Sequence, residues 1–515
     1  MATLARLGGY SFESELAIAV SCFLRHSSVQ SHTIIAGAGP AGLAAALELT
    51  QHGRSVTLLE AGDMVGGLAR TVEYKGYLYD IGGHRFYTKV APVARMWRDL
   101  LGSDLLVRPR LSRIYYDGTF FKYPLEIVNA VSGLGILESF RCGVSFVNSH
   151  LFRTTPELDF ETYMINRFGR RLYEKFFRTY TEKVWGMSCR TIRADWAAQR
   201  IAGLTVGALL AAAIPFPKSS KRKTVTTLIH QFEYPRRGPG MMWSRAQQVI
   251  EERGSEIKLD KAIDRVEWRE GAVTSFVADG RAHRADHFIS SLPLRTLIQI
   301  MTPQPPASVR TAAARLSYRD FITVLLIVKK RDLFPDNWIY VHDPGVRVGR
   351  IQNYKNWSPE MVPDASMTSL GMEYFCFDGD ELWSMSDEAI KALAAREIEA
   401  LRLARSADVV DATVLRVPKA YPVYDETYAE SVAVIRDFLA TLPNLQAIGR
   451  NGMHRYNNQD HSMLTGMLAA RNILGARYDL WNINMDGEYL ESGSIVTELE
   501  LRELEASQPA VPRRI

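Results

Sequence analysis

The 515-residue chain is poor in cysteine, in long apolar runs and in excess charge, and each shortage removes a class of function. Its four cysteines, Cys22, Cys142, Cys189 and Cys376, are far apart, form no CxxC pair and have no histidine at ligand spacing. Reduced, mostly buried thiols are expected rather than a disulfide framework, and no metal site. No segment reaches the ~18 apolar residues that span a bilayer. The longest candidates are 203–217 (GLTVGALLAAAIPFP) and 16–24 (LAIAVSCFL). The second could pass for a weak signal h-region, but only Arg6 lies ahead of it and no small-residue cleavage site follows. Residues 1–31 are therefore read as an N-terminal extension to a cytoplasmic protein, with peripheral membrane contact left open. The net charge of +5 is small for this length. The basic group Lys218, Lys221, Arg222 and Lys223 reads as a solvated loop, so no nucleic-acid partner is expected. No Ser/His/Asp set and no carboxylate pair at recognisable spacing stands out either.

What is present begins with "HTIIAGAGPAGLAAALELTQHGRSVTLLEAGD", residues 32–63. A short apolar run, a glycine-rich turn, an Ala/Leu-rich helix ending at Gly53 and a second apolar run ending in Glu60 make a βαβ unit. Gly37, Gly39 and Gly42 give G-x-G-x-x-G. The first makes the tight turn, the second lets backbone approach a pyrophosphate, and the third lets helix pack on strand. Pro40 and Ala41 open the helix, whose N-terminus faces the phosphates. Glu60, placed to bind ribose hydroxyls, completes a dinucleotide site.

The next stretch, "GDMVGGLARTVEYKGYLYDIGGHRFYTK" (62–89), narrows the dinucleotide to FAD. Gly66 and Gly67, followed by Arg70, let a loop cross the second phosphate. Gly82 and Gly83 let backbone lie flat against an isoalloxazine ring, where a Cβ would clash. No Cys or His stands in a familiar flavinylation context, so the FAD is expected to be non-covalent. Ile263 and Gly449 are taken as further FAD contacts.

Periodicity then gives an α/β fold: a Rossmann-type FAD-binding domain with a helical insertion and an antiparallel-sheet substrate domain. An N-terminal extension (1–31) precedes an FAD-binding domain expected in three segments, 32–100, 216–300 and 441–478. A helical insertion or cap (101–215) separates the first two segments, and the antiparallel-sheet substrate domain (301–440) separates the last two. A C-terminal tail (479–515) follows.

Four separated blocks resemble the UDP-galactopyranose mutase family of the protoporphyrinogen oxidase/amine oxidase superfamily. They are "YDIGGHRFY" (79–87), "YTEKVWGMSCRTIRADWAAQRI" (180–201), "FEYPRRGPGMMW" (232–243) and "IGRNGMHRYNNQDHSMLTGMLAARNI" (448–473). The resemblance implies a redox-neutral UDP-sugar isomerase, in which N5 of reduced FAD is a nucleophile at the anomeric carbon, and a setting in cell-surface polysaccharide biosynthesis. It places Gly83 and His84 beside N5. Arg200, Arg450 and Tyr456 fall on the diphosphate, with Tyr340 and Tyr421 as further pyrophosphate contacts. Trp185 and Trp243 shape the sugar pocket. Asn458, Gln459, Asp460 and Ser462 open the last helix against the flavin. The family's second diphosphate arginine comes from a substrate-domain strand. The nearest stretch here, "ITVLLIVKKRDLF" (322–334), offers Lys329, Lys330 and Arg331 without a clear match. No uridine pocket can be mapped onto residues 100–165.

The alternative is an FAD-dependent oxidase or desaturase similar to protoporphyrinogen oxidase or carotenoid desaturases. These share the βαβ unit, the GG segment and the "SLP" strand, but they need no diphosphate clamp. No second G-x-G-x-x-G lies in a βαβ context, so NAD(P)H, if it is the reductant, would bind transiently.

Overall fold

The strands nearest the first glycine turn are short and apolar on both faces, as strands of a covered parallel sheet must be. The computed structural model describes residues 31–123, 125–194 and 231–483. Expectations for residues 1–30, Arg200, the apolar stretch 203–217 and the tail from 484 lie outside the described residues. The parallel sheet has five strands in the order Leu445–Ala447, His287–Ser290, His32–Ala36, Ser55–Leu59 and Glu256–Lys258. Three chain segments more than 150 residues apart thus meet in one sheet, with "HFIS" (287–290) beside the first strand.

Helix Pro40–Gln51 has Gly39 at its N-cap, Pro40 in its first turn and ten buried residues. Its small residues suit the close approach of helix Gln459–Ile473, which lies directly on it. A Cβ added at Gly466 would sit 2.0 Å from the Ala41 carbonyl oxygen. Backbones this close exclude any larger side chain at the contact.

A second sheet has seven strands in the order Val409–Pro422, Tyr318–Val328, Thr368–Cys376, Arg350–Asn353, Trp338–Val341, Ser112–Tyr116 and Thr119–Lys122. All neighbours are antiparallel except Trp338–Val341 with Ser112–Tyr116. Two of its inner strands, 318–328 and 368–376, are buried along their whole length. Their polar residues therefore face protein, and each must find a partner inside.

The region expected as a helical insertion from residue 101 begins with strands instead. Leu105–Pro109 pairs with Gln231–Pro235, and the next two strands extend the seven-stranded sheet. Helices take over only at Ile127–Leu134, followed by Ile136–Leu151, Phe160–Phe168 and Arg170–Tyr173. A π-helical turn, Glu174–Arg178, then leads into helix Thr179–Trp185. Three described cysteines, Cys142, Cys189 and Cys376, are free and buried.

Candidate active site

Two lobes of one cleft meet at His84, Arg450, Asn458 and Gln459. The first is a groove over the parallel sheet, lined by Gly37, Gly39, Pro40, Ala41, Glu60, Gly67, Ile263, Gly449 and Ser462. Gly37 has φ +94°, and a Cβ there would lie 2.2 Å from the Ser291 hydroxyl oxygen. The Gly66 N–H donates to the Ala38 carbonyl at 2.8 Å, and a Cβ on Gly67 would come 3.1 Å from Gly39 Cα. The two glycine turns thus face each other across the N-terminus of helix Pro40–Gln51, which no side chain caps. Glu60 is fixed by accepting from the N–H groups of Ala38 (2.7 Å) and Gly62 (2.9 Å). An uncapped helix end, two turns that a Cβ would fill and a carboxylate at a strand end fit the phosphates and ribose of a dinucleotide. Gly42, Gly66 and Arg70 support this groove from behind. A Cβ on Gly42 would lie 2.0 Å from the Gly37 carbonyl oxygen, and Arg70 donates to the Gly67 carbonyl at 3.2 Å.

The second lobe is lined by Gly82, Gly83, His84, Arg350, Tyr421, Arg450, Tyr456, Asn458, Gln459 and Asp460. Gly82 has φ +86°, and a Cβ on it would approach Arg350 Nη2 to 3.3 Å. One on Gly83 would lie 3.0 Å from Gln352 Nε2. Gln459 Nε2 donates to the His84 carbonyl at 3.4 Å, tying the last helix to the Gly82–His84 loop. Burial, then Arg450 and Arg350, pushes the His84 imidazole down to about 3, so it is neutral at physiological pH.

Arg450 donates to the carbonyls of Asn457 (2.9 Å) and Ala420 (3.2 Å). Its guanidinium lies 5.2 Å from the Tyr421 ring centre and 4.9 Å from that of Tyr456. Those two rings stack at 5.4 Å and 18°. Carbonyl partners orient this cation without neutralising it, so its charge remains available to an anion.

The second arginine is Arg350, which sequence reasoning missed. It begins strand Arg350–Asn353 opposite Glu373 and Tyr340 in register. It forms an ion pair with Glu373, which also accepts from Gln352 Nε2 at 2.8 Å. Glu373 is fully buried, and burial pushes its carboxyl up against the opposing pull of Arg350 and Gln352. Burial works most strongly against the Arg350 charge, but Glu373, Tyr421, Tyr180 and Tyr340 together outweigh it and hold the guanidinium well above its ordinary value, so it stays charged. Lys329, Lys330 and Arg331 do not take this place. They follow the buried strand 318–328 and are exposed, with Lys330 3.8 Å from Asp408 and Arg331 3.6 Å from Asp332. The available signal was the alternation in "RIQN", where Arg350 and Gln352 share one strand face, matched by the lone acid in "GMEYF".

Trp243 does not line a sugar pocket. It is wholly buried beneath Gly66, donates from its indole N–H to the Ala69 carbonyl at 3.1 Å and meets Trp97 edge-on at 6.0 Å. Its large ring packs under the second glycine turn, which puts it in the core. Trp185 is buried with its ring 6.1 Å from Tyr456, behind that tyrosine. Tyr340 lies beyond Arg350 in an aromatic group with Tyr123 (5.0 Å) and Tyr180 (5.6 Å), and Tyr180 stacks on His342.

Residues 40–474 match the family model described as flavin containing amine oxidoreductase. A crystal structure of reduced UDP-galactopyranose mutase superposes over 91% of this chain and 98% of its own, with a TM-score of 0.78 at 21% identity. The two share a fold. A structure from Exiguobacterium sp. 255-15, provisionally named protoporphyrinogen oxidase, covers 87% of this chain and 99% of its own with a TM-score of 0.66 at 19% identity. Among curated proteins, 1-hydroxycarotenoid 3,4-desaturase of Flavobacterium sp. (strain P99-3) is 32% identical over 100 residues, 19% of this chain. The match spans about a fifth (20%) of that relative's own length.

Proposed function

This chain belongs to the flavin-containing amine oxidoreductase family, and within that family we propose that it is a redox-neutral pyranose–furanose mutase of UDP-sugars. The observation that carries this reading is the pair of arginines, Arg350 and Arg450, set with Tyr421 and Tyr456 on a wall beside Gly82, Gly83 and His84. A nucleoside diphosphate must be held while its bond to the sugar breaks and then returned to the sugar. Two fixed guanidinium groups suit that task, and tyrosine hydroxyls add hydrogen bonds to phosphate without adding charge. An amine substrate would be repelled by Arg450, whose partners are neutral carbonyls, and a polyene would set that charge against an apolar contact.

The family implies FAD, and when bound in its reduced form FAD would supply a nucleophilic nitrogen to the anomeric carbon. Gly37, Gly39, Ala41, Glu60 and Gly67 would hold its ADP half. Asn458, Gln459, Asp460 and Ser462 would meet the ribityl chain and ring where the last helix opens. Gly82 and Gly83 leave room for ring and sugar to approach each other. His84, kept neutral, adds a hydrogen-bonding group without competing for the diphosphate. Arg450 and Arg350 bind and orient the leaving group, and on the resemblance Arg200 is assigned as a third cation. If NAD(P)H is the reductant, it binds transiently.

The second reading, an oxidase or desaturase, draws on the segment shared with the carotenoid desaturase. One experiment separates them: dithionite-reduced protein incubated with a panel of UDP-sugars. Furanose products without net oxidation are expected, and Arg450→Ala should weaken UDP binding roughly thirtyfold, about 2 kcal/mol, while sparing FAD. Oxygen consumption by the oxidised protein with an amine or apolar substrate, and no furanose product, would overturn the mutase reading.

A further inference from the structure

Strands Trp338–Val341 and Arg350–Asn353 are joined by a loop that ends on Arg350, and two charged side chains outside the cleft grip that loop. From helix Thr179–Trp185, Lys183 Nζ donates to the carbonyls of Val341 (3.4 Å), Asp343 (2.5 Å) and Val348 (3.3 Å). From helix Asp387–Ala400, the buried Glu397 accepts from the N–H groups of Arg347 (2.5 Å) and Val348 (3.0 Å) and from the Tyr374 hydroxyl (3.1 Å). Val348 is thus held by its N–H on one side and its carbonyl on the other. The Gly349 N–H then donates to the Glu373 carbonyl at 2.9 Å, and the next residue is Arg350.

The Lys183 ammonium stands where a charge is unfavourable. Its partners are neutral carbonyls, and burial holds it down to about 8 against the opposing pull of Glu397 and Asp343. An apolar side chain would pack the same loop without that desolvation. What the lysine adds is geometry: its donors radiate from one atom and meet carbonyls that converge on it, which a planar guanidinium cannot do. The helix end that carries it is fixed in turn. Arg319 donates to the carbonyls of Val184 (3.1 Å), Lys183 (3.2 Å) and Phe375 (2.9 Å). Phe375 lies on strand Thr368–Cys376, which also carries Glu373, the counter-ion of Arg350. Lys183 and Glu373 are therefore referred to one strand, and together they bracket Arg350.

We infer that Lys183 is a positioning residue for the arginine wall: by pinning the loop before Arg350 it sets where that guanidinium meets the diphosphate. The inference rests on the reading of Arg350 as a diphosphate ligand. Lys183 lines neither lobe of the cleft, so its influence on a bound anion runs through the loop or through its charge at a distance. A variant that keeps the charge and loses the geometry separates those two routes.

The test is a mutant cycle on the full chain loaded with FAD, read as UDP affinity by titration calorimetry, with FAD content and melting temperature as controls on folding. Lys183→Met should weaken UDP binding about tenfold with FAD content unchanged. Lys183→Arg, which keeps the charge but spreads its donors over a plane, should weaken it about threefold or more. The second background is Arg350→Met combined with Glu373→Gln, which removes the ion pair without leaving one buried charge alone. There either Lys183 variant should change UDP affinity by less than about twofold, because the residue it positions is gone. An equal loss in both backgrounds, or no loss from Lys183→Arg beside an intact Arg350, would overturn the inference while leaving the diphosphate reading of Arg350 in place. Should Lys183→Met fail to fold, the Lys183→Arg arm decides by itself. If the Arg350→Met, Glu373→Gln protein binds UDP as tightly as the wild type, Arg350 is no diphosphate ligand, and that reading falls together with the inference.

Discussion

The cofactor groove and the wall of arginines opposite it are built on different principles. In the groove, the glycine turns and their acid come from one short stretch of chain: Gly42 lies against Gly37, and Glu60 accepts from Ala38 and Gly62. The wall is assembled across the seven-stranded sheet and the last helix. Arg350 depends on Glu373 one strand away, and Arg450 depends on Ala420 and on rings contributed by Tyr421 and Tyr456. The groove uses absence of side chains to admit phosphate. The wall uses buried charge, whose position is held by other charge. A lesion in the wall should therefore cost folding stability as well as binding, and a lesion in the groove should strike FAD first.

The largest effect is expected at Glu373. Removing this fully buried carboxylate leaves Arg350 largely buried and without its counter-ion, a loss of about 3–5 kcal/mol in folding stability. Glu373→Ala should lower the unfolding free energy by that amount, with a matching fall in the denaturation midpoint, and weaken UDP binding as Arg350 loses its anchor. If denaturant unfolding finds Glu373→Ala as stable as the wild type, the pair does not hold the wall together. Next comes Gly42→Ala. Its methyl would lie 2.0 Å from the Gly37 carbonyl and 3.2 Å from Ile35 Cγ2, forcing helix from strand at about 1–3 kcal/mol. FAD stoichiometry, read from flavin absorbance, should fall well below one per chain, while UDP affinity of the folded protein changes less. Full FAD occupancy in that variant would break the contrast between the two regions.

The same contrast explains what could be read from the sequence. Gly37, Gly39, Gly42, Glu60 and Gly67 were legible because local spacing alone specifies a βαβ turn, and Arg450, Tyr456 and Asn458 because they sit in one contiguous block. Arg350 was not, because its partner Glu373 lies on another strand and strand pairing is invisible in a single chain. Lys329 and Arg331 attracted attention as charges near a strand, yet charge by itself does not say which side of the strand's end faces the site. Trp243 was misplaced for the converse reason: a tryptophan in a matched block carries no mark of whether its ring faces a pocket or the core. The fold class was legible through its two periodicities. The three strands between residues 105 and 122 were not expected, since each is only four or five residues long and two complete a sheet formed much later in the chain.

The smallest effect below about pH 4, and the finest probe of where groove and wall join, is expected at Asp80. This residue ends strand Tyr77–Asp80, directly before Ile81, Gly82 and Gly83. Its side chain accepts from the hydroxyls of Tyr234 and Thr71, and its backbone carbonyl accepts from the Tyr354 hydroxyl at 2.9 Å. Burial raises its carboxyl to about 7, against the opposing pull of the Tyr234 and Thr71 hydrogen bonds. The folded protein therefore binds this proton more tightly than the unfolded chain, whose ordinary value is 3.8. The resulting stability is fully present below about pH 4 and is lost as pH rises through about 7. Asp80→Asn, which cannot ionise, should match the wild type near pH 4, gain on it steadily as pH rises, and be clearly the more stable protein at pH 7 and above, flattening the decline. Melting temperatures across that range decide the matter. Parallel curves for the two proteins would mean that Asp80 ionises as freely folded as unfolded, and that the loop carrying Gly82 and Gly83 is anchored by Tyr354 and Gln459 alone.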